Sequence, residues 1–307
     1  MDKILITGGS GLVGSAFRKI QTTHQFLFHR RSDCDLTYTE DTMAYFMHHK
    51  PRYVIHLAAN VGGLFKNMNS PVEMLEDNVR MNCNVLRACH AAGVEKVVSC
   101  LSTCIFPDKT TYPINEDMLH DGPPHASNAA YAYAKRLLEI QSTAYHQQYG
   151  KQFVCVIPTN IYGPHDNFHL EDAHVIPALI HKCYLAKNKD EDFVVAGTGR
   201  PLRQFIYSED LARLILWTLE HYKEPSSLIL SPNEEVSIET VARIIARAFH
   251  YEHKMVLDTS RPDGQYKKTA DNSKLKRLLP SVAFVPVEDG IKNTVQWFMD
   301  HYDSCRK

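Results

Sequence analysis

A chain of 307 residues, 44% of them hydrophobic, can bury a large core and divides into one large or two modest lobes. Its 34 lysines and arginines against 35 aspartates and glutamates leave a net charge of -1, so there is no basic field to gather nucleic acid. The eight cysteines form no CxxC pair, and no apolar run approaches the roughly 20 residues of a membrane span, which predicts reduced thiols, no metal centre and a cytoplasmic protein without a membrane partner.

In chain order, the first strand is "KILIT" (3–7), followed by "TGGSGLVG", which spaces Gly8, Gly11 and Gly14 as GxxGxxG before the helical "GSAFRKIQ". Glycine lets a tight turn bring backbone N–H groups against a pyrophosphate at a helix N-terminus, so this turn predicts a dinucleotide site. The second strand, "FLFH" (26–29), ends in "HRRSD". An NAD enzyme usually offers a carboxylate to the ribose here. Arg30 and Arg31, with Arg31 favoured, instead suit the 2′-phosphate of NADP(H), although Asp33 is close by.

Further strands follow at "YVIHLA" (53–58), "KVVSCLS" (96–102) and "FVCVIPT" (153–159), separated by helical "NVRMNCNVLRACHAAG" and "YAKRLLEIQSTAYHQQYG", each ending in a glycine stop. Nearly all-apolar strands alternating with helices predict an α/β fold of Rossmann type: a doubly wound parallel sheet covered on both faces. From about Gly163 the pattern loosens into shorter helices, "VIPALIHKCYLA", "SEDLARLILWTLEHY" and "SIETVARIIARAF". This divides the chain into a cofactor domain, 1–162, and a smaller α/β substrate lobe, 163–307, with 203–222 able to return to the first sheet.

Ser102 stands at the carboxyl end of the fourth strand, where ligands of open α/β sheets sit. In "NAAYAYAKRLLE", Tyr131 and Lys135 are four residues apart and share a helix face, whereas Tyr133 points elsewhere. An ammonium beside the phenol should lower its pKa and make it a better proton donor to an alkoxide formed by hydride addition. The glycine turn, this Ser, Tyr and Lys set, "LAA" at Leu57 to Ala59 and "TNIYGP" at Thr159 to Pro164 together resemble the extended short-chain dehydrogenase/reductase family over essentially the whole chain. The resemblance implies a homodimer acting on a nucleotide sugar. It also implies an NADP(H) site lined by Gly8, Gly11, Leu12, Val13, Gly14, Arg30, Arg31, Asp35, Leu36, Leu57, Ala58, Ala59, Tyr131, Lys135, Pro158, Asn160 and Ile161.

Sugar 4,6-dehydratases of that family carry a threonine and two acids after the fourth strand, and 4-epimerases carry small residues. This chain reads Ser102-Thr103-Cys104, so dehydration is not expected. The cysteine, with "VGGLF" (61–65), "GPHDNF" and "HVIPALI", resembles those members that invert the carbons beside the ketone of a GDP-sugar before reducing it. A ketone acidifies its neighbouring C–H bonds, and inversion needs a base on one face and an acid on the other. Cys104 matches the base, because thiolate serves at neutral pH once a cation or dipole lowers the cysteine pKa from about 8.5. His174 matches the acid. By the same resemblance Lys182, Arg203 and Lys268 meet the diphosphate, Asn160 the sugar or guanine end, and His165 a pocket wall. A 4-reductase that does not epimerise, and a cofactor-binding regulator without turnover, are the alternatives.

Overall fold

The computed structural model describes residues 1–263 and 266–307, with the backbone alone at Leu64 and Phe65, the last two residues of "VGGLF". The chain opens with β1 (Lys3–Thr7), α1 (Leu12–Ala16), β2 (Gln25–Phe28), α2 (Thr39–His49) and β3 (Tyr53–His56). It continues through α3 (Leu64–Asn69), α4 (Pro71–Ala91), β4 (Lys96–Cys100), α5 (Ala129–Tyr149) and β5 (Gln152–Pro158). Pro71 starts α4, where its missing N–H costs nothing, and Gly150 stops α5 at φ +64° while donating to the His146 carbonyl.

Beyond these come β6 (Asn160–Tyr162), α6 (Val175–Lys189), β7 (Phe193–Ala196), β8 (Leu202–Arg203), β9 (Phe205–Tyr207) and α7 (Ser208–His221). The remainder is β10 (Leu228–Leu230), β11 (Val236–Ser237), α8 (Ile238–Ala248), β12 (Met255–Asp258), α9 (Ser273–Leu278) and α10 (Val287–Asp300). Six strands form one parallel sheet in the order β10-β5-β4-β3-β1-β2. The chain leaves β1 to one side for β2 and returns to the other for β3, so the order reverses beside β1. The crevice over the carboxyl ends at such a reversal is where ligands of these sheets bind.

Both faces of the sheet are covered, which is why its strands read as continuous apolar runs. Leu5 packs with Phe46, Val85 and Leu138 beneath α2, α4 and α5, while its neighbours Ile4 and Ile6 pack with Phe17, Leu211 and Ile215 beneath α1 and α7. Thus α7 packs on the first sheet, and β10 pairs with β5 as its edge strand. Lys96 at the foot of β4 ties α7 down: its buried ammonium donates to the Thr218 carbonyl at 2.7 Å and to the Tyr222 carbonyl, and burial lowers its pKa to about 8.

A second core joins α6, α8 and α10 around the parallel pair β7 and β12, with Ile180, Phe193, Ile245 and Phe298 at its centre. Two small pairs lie between the halves: β6 runs parallel to β9, and β8 antiparallel to β11. These carry Asn160 and Arg203 to the crevice.

Candidate active site

The glycine turn is a cradle that side chains could not share. Gly8 has φ +69°, and a Cβ added there would lie 2.8 Å from the Ala58 nitrogen; at Gly14 one would lie 2.5 Å from the Gly8 carbonyl oxygen. At Gly11 an added Cβ meets only that same oxygen, at 3.3 Å, and otherwise open space. The turn therefore packs on the end of β3 through Gly8 and opens outward at Gly11, as a pyrophosphate requires. Leu12, Leu57, Ala58, Ala59 and Ile161 are half-buried around this crevice, whereas Val13, Leu36 and Pro158 are buried and support it by packing. The guanidinium of Arg31 is held by Asp35 through Nε and Nη2 at 3.1 and 2.9 Å, and Arg30 is exposed with its backbone N–H on Asp33. An exposed pair of this kind contributes little, so Asp35 does not bar Arg31 from an incoming phosphate.

Lys135 is 2% exposed and its ammonium has one partner among the described residues, the Cys100 carbonyl oxygen at 2.8 Å. A buried ammonium with two unused N–H groups is a poor arrangement unless a ligand completes it, and ribose hydroxyls at the end of β4 fit that need. Tyr131 lies one turn back, with the Lys135 Nζ 5.8 Å from its ring centroid. The expected lowering of the Tyr131 pKa is not met. Burial, with the thiols of Cys104 and Cys100 adding to it, pushes the phenol well above its ordinary value, while burial lowers that of Lys135. Tyr131 thus holds its proton until something needs it.

Ser102 begins a 3-10 turn, Thr103–Ile105, in extended conformation, and its Oγ accepts the Cys104 N–H at 3.4 Å. Its own hydroxyl proton remains available to an oxygen in the crevice. The same turn sets Cys104 near the Tyr131 phenol and the cations of Lys135, Arg136 and Lys268, all of which interact with it electrostatically. Arg136, which sequence reasoning missed, anchors the turn from α5 by donating from Nε to the Ile105 carbonyl at 2.6 Å.

Lys268 arrives from far along the chain because Ile114 donates to the Thr269 carbonyl and accepts from the Asp271 N–H, at 2.8 and 2.7 Å. Gln204, also missed, clamps the same segment. Its buried amide accepts from the Ala270 N–H at 2.8 Å and donates to the Ala270 carbonyl at 3.2 Å, which fixes Arg203 beside Lys268. Burial lowers the pKa of both cations, and the charge of Arg203 lowers that of Lys268 further. Two desolvated cations in one cleft suit a diphosphate. Asn160 is already committed, its N–H and Nδ2 both donating to the Gln204 carbonyl at 3.2 and 2.9 Å.

His174 precedes α6 and is exposed, and desolvation by the protein around it lowers its pKa. No hydrogen bond joins it to Cys104 among the described residues. It is held instead by the loop before α3, where Gly63 donates to the Asp172 carbonyl at 2.7 Å and Asn67 Nδ2 grips the Gly62 and Gly63 carbonyls at 2.9 Å each. Lys182 is exposed on α6, about two turns from His174. Among the described residues no hydrogen bond or ring contact joins His165 to Ser102, Cys104, Tyr131 or Lys268. Its ring meets that of Trp297 of α10 in a tilted contact, centroids 4.5 Å apart, and its carbonyl accepts from Arg306.

A parallel sheet with a glycine cradle at its point of reversal and a Ser, Tyr and Lys set over the carboxyl ends is the arrangement of a dinucleotide-dependent enzyme. Residues 4–230 match the model of the NAD dependent epimerase/dehydratase family, and the chain belongs to that family. Within it, the chain is 55% identical over 311 residues to a GDP-L-fucose synthase of Dictyostelium discoideum, covering 99% of this chain and 97% of that one. It is 50% identical to a probable GDP-L-fucose synthase of Drosophila melanogaster over the full length of both. A crystal structure of a GDP-L-fucose synthetase from Naegleria fowleri bound to NADP superposes with a TM-score of 0.95 at 50% identity, covering 100% of this chain and 95% of that one.

Proposed function

We infer that this protein is an NADPH-dependent enzyme that inverts C3 and C5 of GDP-4-keto-6-deoxy-D-mannose and then reduces C4, releasing GDP-L-fucose. The observation that carries the reading is the placement of the Cys104 thiol beside the Tyr131 and Lys135 pair, so that carbon acid chemistry and ketone reduction share one crevice. NADPH supplies the hydride for C4. Gly8, Gly11 and Gly14 hold its pyrophosphate, Arg30 or Arg31 its 2′-phosphate, and Lys135 its ribose.

Cys104 as thiolate removes the proton from the carbon next to the ketone, and the electron pair moves onto the carbonyl oxygen, where the Ser102 and Tyr131 hydroxyls donate hydrogen bonds. His174 returns a proton to the opposite face of the same carbon. Solvent takes the proton from the Cys104 thiol and returns one to His174, and the step repeats at the second centre. In reduction, the Tyr131 proton passes to the C4 oxygen as hydride reaches C4. Arg203 and Lys268 hold the diphosphate, with Lys182 further out. The first lobe serves the cofactor, and residues 163–307 mainly the sugar nucleotide. An apolar stripe on the outer faces of two neighbouring helices, Val72 and Leu75 on α4 with Tyr133, Leu137 and Ile140 on α5, supports a homodimer paired there. No described helix is long and apolar enough to cross a membrane, which is compatible with action in the cytoplasm.

Turnover in D2O tests the reading. The product GDP-L-fucose should carry deuterium at both C3 and C5 by NMR; its absence at both would exclude epimerisation. The His174 support gives a second expectation. A Cβ at Gly63 would lie 2.9 Å from the Ala173 carbonyl oxygen, so Gly63→Ala must displace the 172–174 loop. Deuterium entry should fall about tenfold or more, as misplacement of a reacting group costs, while NADPH binding is unchanged. Equal losses in both would mean that the loop does not act through His174.

A further inference from the structure

His56 is fully buried at the end of β3, in an otherwise apolar strand, and a buried imidazole needs partners at both nitrogens. Thr7 Oγ1 lies 2.8 Å from its Nδ1, and Asn82 Oδ1 lies 3.0 Å from its Nε2. The Thr7 hydroxyl also accepts the backbone N–H groups of Leu57 and Ala58, at 3.1 and 3.2 Å. With both lone pairs so used, its proton can go only to Nδ1. The imidazole therefore accepts at Nδ1, carries its proton at Nε2 and donates it to Asn82 Oδ1. Asn82 Nδ2 completes the chain by donating to the Ala134 carbonyl at 3.4 Å, one residue before Lys135. Burial first, and the charge of Lys135 after it, lowers the His56 pKa to about 3, which agrees with a permanently neutral ring.

The ends of this relay are the two halves of the site. Thr7 immediately precedes Gly8, whose α-carbon packs against Ala58, and the Thr7 hydroxyl holds the Ala58 N–H in that contact. At the other end the relay reaches the backbone of α5, which carries Tyr131 and Lys135. We propose that His56, locked as its Nε2–H tautomer between Thr7 and Asn82, is a positioning residue that fixes the cofactor turn and the Leu57 to Ala59 wall relative to the catalytic helix. The role rests on the NADPH reading above, but its test needs no sugar. A network in which every member is satisfied holds one geometry, and removing one member leaves buried polar groups unpaired.

In the full-length enzyme, Thr7→Val deletes the hydroxyl at nearly constant volume and Thr7→Ser keeps it. NADPH titrated without sugar, followed by its fluorescence, should show Kd raised about tenfold or more, at least the worth of one buried hydrogen bond, in Thr7→Val, which removes three, and in His56→Leu, which removes two, and close to wild type in Thr7→Ser. Nitrogen-15 NMR should show His56 as a neutral Nε2–H ring that does not titrate from about pH 5 to pH 9, where an ordinary histidine changes charge. Deuterium entry at C3 and C5 should persist in Thr7→Val, since that step uses no hydride. An unchanged Kd in Thr7→Val, a titrating or Nδ1–H ring, or equal losses of binding, exchange and melting temperature would each overturn the role. Should His56→Leu fail to fold, the Thr7 pair decides. A wild type without exchange would refute the epimerase reading and leave the NADPH result standing.

Discussion

Cys104→Ser should abolish deuterium entry at C3 and C5, a loss of about 10²- to 10⁴-fold, the usual worth of a placed general base, while NADPH still binds. Serine fits the half-buried site without a cavity and keeps the 3-10 turn, because Ser102 takes the backbone N–H of residue 104, not its side chain. What is lost is basicity: a hydroxyl does not ionise near neutral pH, whereas a thiol does. Lys268 gives a companion sign. Burial lowers its pKa and negative charge at Cys104 would oppose that, so this ammonium is placed to favour a thiolate there. His174 sets the alkaline side. Its pKa is lowered by desolvation, so the doubly protonated fraction shrinks as pH rises through a value below 6.5, and exchange should decline there. Product recovered from Cys104→Ser with wild-type deuterium content would remove the thiol from the mechanism.

The glycine turn and Tyr131 with Lys135 were legible because their chemistry is local: three glycines at fixed spacing, and two side chains one helical turn apart. The sheet was legible for a related reason, since strands covered on both faces must be apolar throughout. Leu228–Leu230 was not, because three buried residues after a helix carry no period, and only pairing with β5 makes them a strand. Arg203 and Lys268 meet through Gln204 and a backbone bridge at Ile114, contacts across many residues that no spacing encodes. The Tyr131 pKa moves opposite to the expectation because spacing shows that an ammonium is near but not that the phenol is buried. His56 did leave a signal, a lone imidazole inside "YVIHLA". What it lacked was any sign of the partners, Thr7 and Asn82, that a buried ring must find.

Tyr131→Phe should separate the two halves of the reaction. Reduction should fall about 10²- to 10⁴-fold, the range for losing a positioned acid, while deuterium entry at C3 and C5 falls less, because Ser102 still donates to the enolate oxygen, so labelled keto sugar accumulates without fucose product. The ring is 7% exposed and phenylalanine fills the same space, so stability and NADPH affinity should change little. Burial also fixes the pH profile of the wild type. Because the phenol is pushed well above its ordinary value, it keeps its proton throughout the neutral range, and reduction should show no alkaline limb from Tyr131 below about pH 10. A lowered phenol would have produced such a limb near neutrality. Single-turnover rates from pH 6 to 9, compared between wild type and variant, make the distinction. A variant that reduces at the wild-type rate would shift the proton delivery to Ser102 or to water, and a wild type whose rate fell across that range would show that the bound cofactor and sugar overcome the burial seen here.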